Sequence, residues 1–310
     1  MIELTDNNPD VSVVIVSYNV KDLLEKCLDS IYSQHSKLSL EVIVLENASS
    51  DGSADFIEWK YPQVTLVRNE KNEGFPKANN QGFALAKGKY ILMLNPDTEF
   101  IDNGIEHMYD FLEKNQAIGL IAPKLLNSDK SLQLSTWRFP TLYSVFCELF
   151  FLNSLNQKHF YSDKNLDEPF QADSFSGAAL FFKSSLLKSA KGLDESMFWI
   201  EDIDFCFRLT REGFAMQYRP EIQVIHHSGQ SAKKNYNISL SNQIFNKIKF
   251  FRKHHSITAF RLVQGMSFIH VSIKILIFTL LSPVNLVYYR KLKAYIYTWP
   301  KVFNPPNGIA

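Results

Sequence analysis

The chain has 310 residues, of which 45% are hydrophobic and 21% are charged, and its formal net charge at pH 7 is +1. That much apolar material fills one large core or two small ones, which excludes an intrinsically disordered chain. The near-neutral total conceals an asymmetry, because residues 231–310 carry 12 Lys and Arg but no Asp or Glu, whereas residues 1–230 carry 21 basic and 32 acidic side chains. The sequence therefore predicts two physically different parts.

The first ten residues, MIELTDNNPD, are polar and acidic. They lack the basic start and apolar stretch of a secretory signal, so we expect the chain to begin in the cytoplasm. The cysteines lie in segments that we expect to be packed, and none is spaced as CxxC. We therefore predict buried thiols rather than a disulfide or a metal knot. They are Cys27, Cys147 and Cys206.

Four apolar segments alternate with segments of helical spacing in the first hundred residues. They are VSVVIVS (11–17), EVIVL (41–45), VTLVR (64–68) and KYILML (89–94). This alternation predicts a parallel α/β sheet whose ligands bind at the carboxyl ends of the strands. No GxGxxG follows the first strand and no GxxxxGK[ST] occurs in the sequence, which disfavours a nicotinamide-type site and a P-loop.

The pattern is less regular downstream. We predict a helix over 104–114, a strand over 118–122, and a loop with a helix over the aromatic-rich stretch 137–161. Beyond it, SFSGAALFFKSSLL predicts a strand, IEDIDFCFRLTREG an acidic turn leading into a helix, and FAMQYRPEIQVIHHSG two further strands.

Polar turns follow the predicted strands. Asn95-Pro96-Asp97 places one carboxylate at the rim of the sheet, where it would hold a divalent cation against a substrate diphosphate. The same tripeptide is also ordinary turn chemistry. His226 and His227 end an apolar strand, so each is either a metal ligand or phosphate donor, or a surface strand terminus. The residues alone leave both alternatives open.

Three acids open the predicted helix that begins near Glu201. They favour the helix dipole, which is one interpretation. The other is that one carboxylate, desolvated beside Phe198 and Trp199, acts as a general base. Asp202 and Asp204 are two residues apart and do not share a helix face, so at most one of them faces a given pocket.

Taken together, these segments resemble the family 2 inverting glycosyltransferases of the GT-A fold, in particular the rhamnosyltransferase-like group. The likeness lies in VSVVIVSYN, VLENASSDGS, NEGFPKANNQG, YILMLNPDT, FSGAALFF, GLDESMFWIEDIDFCFRL and IHHSGQS, in that order over about residues 11–231. It extends to the basic aromatic segment FNKIKFFRKHHS at 245–256. The resemblance implies an α/β fold with a Rossmann-like, mostly parallel sheet flanked by helices, followed by a basic, apolar C-terminal helical region.

The resemblance also implies a domain division. A GT-A catalytic domain would occupy residues 1–235, with a nucleotide-binding half over about 10–100 and an acceptor and base half over about 101–235. Residues 236–310 would form a basic helical region that associates with a membrane.

Roles for individual residues follow from the same resemblance. Contacts to the nucleotide sugar are expected from Ser17, Tyr18, Asn19, Glu46, Asn72, Asn80 and Asn95. Asp97 and His226 would hold a divalent cation, Mg²⁺ or Mn²⁺, and Asp202 would be the catalytic base. Glu201, Trp199 and Asp204 are candidate acceptor-site residues. Glu46 stands where the family usually has Asp, so nucleotide affinity or base preference is expected to differ.

The basic tail contains the most apolar stretch of the chain. Within residues 262–289, Lys274 is the one Lys, Arg, Asp or Glu. Basic residues and tyrosines flank the stretch, which favours an interfacial or re-entrant membrane anchor. A membrane-spanning helix and a soluble helical dimerisation element are the alternatives. A nucleic-acid partner is disfavoured, because a polyanion gives no reason for long aliphatic runs between the charges.

These features predict a metal-dependent inverting glycosyltransferase of polysaccharide or cell-envelope biosynthesis. The expected donor is dTDP-rhamnose, with a UDP-sugar as the alternative, and the expected acceptor is a glycan or a polyprenyl-linked saccharide. The expected location is the cytoplasmic face of the bacterial inner membrane, peripheral or monotopic. The rival from another class is a non-catalytic scaffold that binds a sugar nucleotide or a glycan. The sequence leaves the oligomeric state open.

Overall fold

The computed structural model describes residues 8–150, 152, 161, 163–227 and 236–306. The chain forms two compact units, each made of several chain segments. The first unit contains 1–137, 165–193 and 205–228, and the second contains 138–164, 194–204 and 229–310. The domain boundary expected near residue 235 stays a prediction.

The first unit is built on a mixed sheet with a parallel centre. Its strands are β1 (Val11–Ser17), β2 (Leu40–Glu46), β3 (Thr65–Arg68), β4 (Tyr90–Leu94), β5 (Thr98–Phe100), β6 (Ile118–Leu126), β7 (Leu132–Gln133), β8 (Thr136–Trp137), β9 (Phe170–Gln171), β10 (Ser174–Phe175), β11 (Ala179–Lys183) and β12 (Ala215–His226). The order along the main sheet is β3-β2-β1-β4-β11-β6-β12-β5. β7 pairs with β6, β9 pairs with β12, and β8 and β10 form a separate pair.

The four strands predicted in the first hundred residues are confirmed, and they pair in parallel as β3-β2-β1-β4. β11 is antiparallel to both of its neighbours, β4 and β6. Residues of β1 and β4 are completely buried, as expected for β-branched and apolar runs covered on both faces of a sheet. The predicted α/β class, with its mostly parallel central sheet, is therefore confirmed.

The helices, in chain order, are α1 (Lys21–Tyr32), α2 (Ser53–Lys60), α3 (Phe75–Leu85), α4 (Gly104–Lys114), α5 (Leu142–Leu149), α6 (Leu186–Ala190), α7 (Glu201–Arg211), α8 (Tyr236–His254), α9 (Ile257–Leu281) and α10 (Leu286–Thr298). A short 3-10 helix follows at Trp299–Lys301. The helix predicted over 104–114 is confirmed as α4. α1 buries Leu24, Cys27, Leu28 and Ile31 against the core, at the predicted helical spacing.

The later strands and loops agree only in part with the sequence-based expectation. The two strands expected after residue 213 are one strand, β12, with a register shift against β6 between Arg219 and Gln223. Pro220 lies in that shift, where its missing N–H costs no ladder hydrogen bond. In the stretch 137–161 the structure contains the predicted helix as α5, and most of 151–160 lies outside the described residues.

Helices make up the regular structure described in the second unit. α8, α9 and α10 follow one another, and Pro283 lies in the turn between α9 and α10, where a helix could not continue. The basic C-terminal helical region is therefore confirmed. All three cysteines are buried and none forms a disulfide, as predicted, and burial raises the pKa of the Cys27 thiol to about 12.

Candidate functional site

The carboxyl ends of β1, β2 and β4 meet at one edge of the sheet in the first unit. Ser17 pairs in register with Glu46, and Ile15 pairs with Leu94, so the loops that follow these strands begin side by side. The hydroxyl of Ser17 is buried and has no hydrogen-bond partner among the described residues. An unsatisfied buried hydroxyl at this edge indicates a place where a ligand supplies the missing partner.

Asn19 and Glu46 tie the first two of these loops together. The backbone N–H of Asn19 donates to the Ser49 hydroxyl at 2.9 Å, and its side-chain oxygen accepts the N–H of Ser50 at 2.8 Å. Glu46 is buried, and its Oε1 accepts the N–H of Ser49 at 2.9 Å. Tyr18, between these anchors, is 42% exposed. Of the predicted nucleotide contacts at this edge, Tyr18 therefore has an exposed aromatic ring, whereas Asn19 and Glu46 are held by hydrogen bonds.

An amide network at Asn47 fixes the next loop. The side-chain N–H of Asn47 donates to Asn72 at 2.8 Å, and its oxygen accepts from Asn69 at 3.1 Å and from the N–H of Glu73 at 3.0 Å. The oxygen of Asn72 also accepts the N–H of Gly74 at 2.9 Å. Sequence reasoning named Asn72 but missed Asn47, for which the one signal was its place directly after β2.

Asn80 lies against the backbone of Leu193. Its side-chain N–H donates to the Leu193 carbonyl at 2.9 Å, and its oxygen accepts the Leu193 N–H at 2.8 Å. Gly192 has a positive φ of +72°, and a Cβ there would lie 2.4 Å from the Asn80 oxygen. The structure thus gives Asn80 a loop-fixing contact, and its predicted contact to the sugar nucleotide stays a prediction.

Asp97 and His226 come together at the end of β4 and β12. Oδ1 of Asp97 lies 3.3 Å from Nε2 of His226, and both side chains are largely buried. Nδ1 of His226 donates to Oε1 of Gln133 at 2.7 Å, while the amide N–H of Gln133 donates to the His226 carbonyl at 3.2 Å and to Asn127 at 2.9 Å. The contact with Gln133 fixes the ring through Nδ1, so Nε2 is the ring nitrogen that faces Asp97.

This pair fits a divalent cation. A carboxylate oxygen and an imidazole nitrogen are both ligand types for divalent cations, and here they lie 3.3 Å apart. Asn95 lies beside them, with its Nδ2 3.4 Å from His226 Nε2 and its buried Oδ1 without a hydrogen-bond partner in the described part of the chain. No group of three or more His, Cys, Asp or Glu in the described residues is placed to hold a metal. Asp97 and His226 would therefore hold it together with substrate oxygens.

His227 makes a second, separate set of contacts beside this pair. Its Nε2 lies 2.7 Å from Oε1 of Glu99, its Nδ1 lies 2.7 Å from the Ser128 hydroxyl, and its backbone N–H donates to the Asp97 carbonyl at 2.8 Å. His227 therefore contacts Glu99 and Ser128, whereas His226 contacts Asp97, Asn95 and Gln133.

The acidic start of α7 belongs to the second unit. Trp199 is 44% exposed and has φ +84°, a left-handed conformation that is strained for a large side chain. Asp202 is half-buried, and its Oδ1 accepts the Ile203 N–H at 2.7 Å. Asp204 is completely buried and pairs with Lys253 and His254. Asp202 and Asp204 thus have different environments, as their spacing predicts.

Glu201 is buried at the beginning of α7. Burial, and then the charge of neighbouring Asp202, raise the pKa of the Glu201 carboxyl to about 8. Its Oε2 has no hydrogen-bond partner in the described residues. The raised pKa favours the protonated form of the Glu201 carboxyl at neutral pH.

In α/β proteins, ligands commonly bind at the carboxyl ends of the sheet strands, which is where these polar residues meet. The model of the glycosyl transferase family 2 matches residues 12–187, more than half of the chain. The chain belongs to this family. Membership, together with relatives named as glycosyltransferases, supports a transferase rather than the scaffold considered from the sequence.

Individual relatives agree with this assignment. An N-acetylglucosaminyl-diphospho-decaprenol L-rhamnosyltransferase of Mycobacterium tuberculosis is 25% identical over 237 residues, covering 71% of this chain and 76% of that protein. A poly(ribitol-phosphate) beta-glucosyltransferase of Bacillus spizizenii is 34% identical over 112 residues, covering 34% of this chain but only 18% of that protein.

A solved structure has the same fold. It is a mannosyltransferase from Pyrobaculum calidifontis in complex with GDP-Man and Mn²⁺, with a TM-score of 0.58 and 16% identity, covering 96% of this chain and 88% of that one. The predicted GT-A fold is therefore confirmed, together with the family 2 resemblance.

Proposed function

We propose that this chain is a metal-dependent inverting glycosyltransferase that moves a sugar from a nucleoside-diphosphate donor to a lipid-linked or cell-surface glycan. The observation that carries the proposal is the pair of Asp97 and His226, 3.3 Å apart at the carboxyl edge of a parallel sheet. A cation at this pair would neutralise the charge that develops on the leaving diphosphate. Asn95 and Ser17 supply buried polar atoms free to bind the donor.

Asp202 is the proposed base. It takes the proton from the acceptor hydroxyl while that oxygen attacks the anomeric carbon and the bond to the diphosphate breaks. Glu201 is disfavoured as the base at neutral pH because the raised pKa of its carboxyl favours the protonated form. A single base and a direct displacement give inversion at the anomeric carbon.

The proposed donor is dTDP-rhamnose. The support is the rhamnosyltransferase relative, which matches over 71% of this chain. A UDP-sugar is the second candidate, since a glucosyltransferase relative from Escherichia coli is named for UDP-Glc. The acceptor named for the mycobacterial protein is a diphospho-decaprenol saccharide, which supports a polyprenyl-linked acceptor here.

The proposed location is the cytoplasmic surface of a bacterial inner membrane, with the second unit as the anchor. Among the described residues, α9 is the one helix long and apolar enough to cross a membrane. Large apolar side chains are exposed along one side of it, namely Leu262, Ile269, Ile273, Leu276 and Leu280. The residues 231–310 carry basic side chains and no carboxylates, which suits an anionic lipid surface.

The inner side of α9 favours a monotopic arrangement over a spanning one. It buries Gln264, Ser267 and His270. Gln264 donates to the carbonyls of Val302 and Phe303 at 3.2 Å, and His270 contacts the Leu149 carbonyl at 2.5 Å. Because this side carries buried polar groups that already have partners within its own unit, the outer side is the one available to lipid.

The test is a panel of nucleotide sugars incubated with the purified full chain and Mn²⁺ or Mg²⁺. Thermal stabilisation reports donor binding, and release of nucleoside diphosphate with and without a lipid extract reports turnover. We expect one donor to do both. Stabilisation without turnover, even with lipid acceptors present, would contradict the proposal.

Two variants sharpen the test. Asp202→Asn should bind the donor but lose nearly all transfer, because the base is gone while the amide keeps the shape of the side chain. Asp22→Asn is the matched control, since Asp22 is an exposed carboxylate of α1. Equal turnover of the two variants would remove Asp202 from the role of base.

A further inference from the structure

Helix α8 presents a row of polar side chains to residues 194–204 of its own unit. The row consists of Asn246, Lys249 and Lys253, which are spaced by three and four residues and so lie on one side of the helix, and of His254 beside Lys253. Each of the four contacts residues 194–204. Neither the proposed membrane anchor nor the donor site accounts for this polar row.

Two members of the row hold backbone carbonyls. The amide N–H of Asn246, which is buried, donates to the Phe198 carbonyl. The ammonium of Lys249 donates to the Ser196 carbonyl at 2.6 Å, in a setting where burial lowers the pKa of that lysine. These are donors bonded to a loop that has no regular secondary structure of its own.

The other two members hold carboxylates. Nε2 of His254 lies 2.6 Å from Oδ1 of Asp204, and Nζ of Lys253 lies 2.8 Å from the same oxygen and 2.6 Å from Asp194. Asp204 has no exposed side-chain surface, so its charge needs these partners. Asp194 in turn accepts the N–H and the hydroxyl of Ser196. The contacts therefore fix both ends of the segment.

The held segment contains the strained residue and the proposed base. Trp199, with φ +84°, directly follows the carbonyl that Asn246 binds, and Asp202 lies between Trp199 and Asp204. Strained backbone persists where surrounding contacts over-determine it. We infer that the polar row of α8 positions residues 196–204 for catalysis, with Asn246 and His254 as positioning residues that act through Asp202. The inference rests on the proposed function of Asp202.

The experiment compares Asn246→Leu and His254→Leu with the wild-type full chain. Hydrogen exchange followed by mass spectrometry should report faster exchange of amides in 196–204, with Val11–Ser17 and Tyr90–Leu94 unchanged. With the donor found by the panel, kcat should fall about tenfold or more, because a base misplaced by about 1 Å loses much of its effect. The donor KM should stay within about twofold, because donor binding is assigned to other residues.

Conservative and control variants complete the design. In His254→Gln the side-chain amide can donate to Asp204 from the place of Nε2, so most of the kcat should return. Gln243→Leu and Arg252→Leu change exposed side chains of the same helix and should leave both readouts unchanged. Wild-type exchange at 196–204 in both Leu variants, or equally faster exchange over β1 and β4, would overturn the inference.

The exchange measurement also separates this inference from the proposed function. If Asp202→Asn keeps its turnover, Asp202 is not the base, independently of any effect of the α8 variants. If Asp202→Asn is inactive while His254→Leu and Asn246→Leu are fully active, the base stands and the positioning role is wrong.

Discussion

Oδ1 of Asp97 lies 3.3 Å from Nε2 of His226, and Gln133 fixes that imidazole through Nδ1 at 2.7 Å. The three residues come from β7, β12 and the turn after β4, so this relationship exists only in the folded chain. Under the proposed function, Asp97 and His226 would hold the cation here.

Gln133→Leu should weaken Mn²⁺ binding without removing a ligand. A ligating histidine needs its other ring N–H held, and loss of such a partner typically costs about 10–100-fold in metal affinity. Electron paramagnetic resonance of free Mn²⁺, titrated in the presence of a nucleoside diphosphate, measures the change. The control Gln243→Leu removes an exposed glutamine. Equal affinities in the two variants would argue against a metal at His226.

Glu201→Gln should stabilise the protein increasingly as the pH rises. The pKa of Glu201 is raised from 4.5 to about 8, so the stability present below pH 4.5 is lost as the pH rises to about 8. Glutamine does not titrate, so the variant keeps that stability. Since each pKa unit corresponds to about 1.4 kcal/mol, the difference in unfolding free energy should reach a few kcal/mol at the upper end of this range.

Urea unfolding of both proteins at about pH 5, about pH 6.5 and about pH 8 measures that difference. Parallel curves for the two proteins across this range would show that the carboxyl of Glu201 ionises normally. Asp22→Asn, which changes an exposed carboxylate, should give no such pH-dependent gap.

Gly192→Ala should cost more stability than Gly213→Ala. Both glycines have positive φ, +72° and +85°, so both variants pay about 1–3 kcal/mol of backbone strain. Only at Gly192 does the new Cβ meet Asn80, at 2.4 Å, whereas a Cβ at Gly213 meets no described atom within 4 Å. Losing the two hydrogen bonds between Asn80 and Leu193 adds about 1–3 kcal/mol.

Urea unfolding of the two glycine variants measures this extra cost. In an Asn80→Ala background the extra cost of Gly192→Ala should largely disappear, because the side chain that it displaces is already gone. A cost that stays the same in that background would mean that the clash with Asn80 is not its cause.

The double variant Leu276→Ser and Leu280→Ser should weaken membrane binding. These side chains are 65% and 72% exposed on the outer side of α9, and each buried leucine contributes about 1.5–3 kcal/mol in an apolar environment. Sedimentation with vesicles containing anionic lipid should therefore give an affinity at least about tenfold lower. Trp59→Ser is the control, since Trp59 is 77% exposed on α2. Wild-type binding by the double variant would exclude this side of α9 as the membrane surface.

The amino-acid sequence alone determined the parallel part of the sheet. β1, β2 and β4 are β-branched or apolar runs of strand length followed by polar turns, and such local patterns specify strands and their ends. The motif order also identified the family, since loose motifs become specific in a fixed order. The place of Asp97 at the edge of the sheet followed from the same local pattern.

Only the tertiary structure decided what each polar side chain touches. Spacing left the roles of His226 and His227 open, and in the folded chain one faces Asp97 and the other Glu99. The family resemblance made Asp204 an acceptor-site candidate, whereas the folded chain buries Asp204 against Lys253 and His254 of a distant helix. Hydrogen bonds between segments far apart in the chain leave no periodic pattern in the sequence, so only the folded structure identifies these partners.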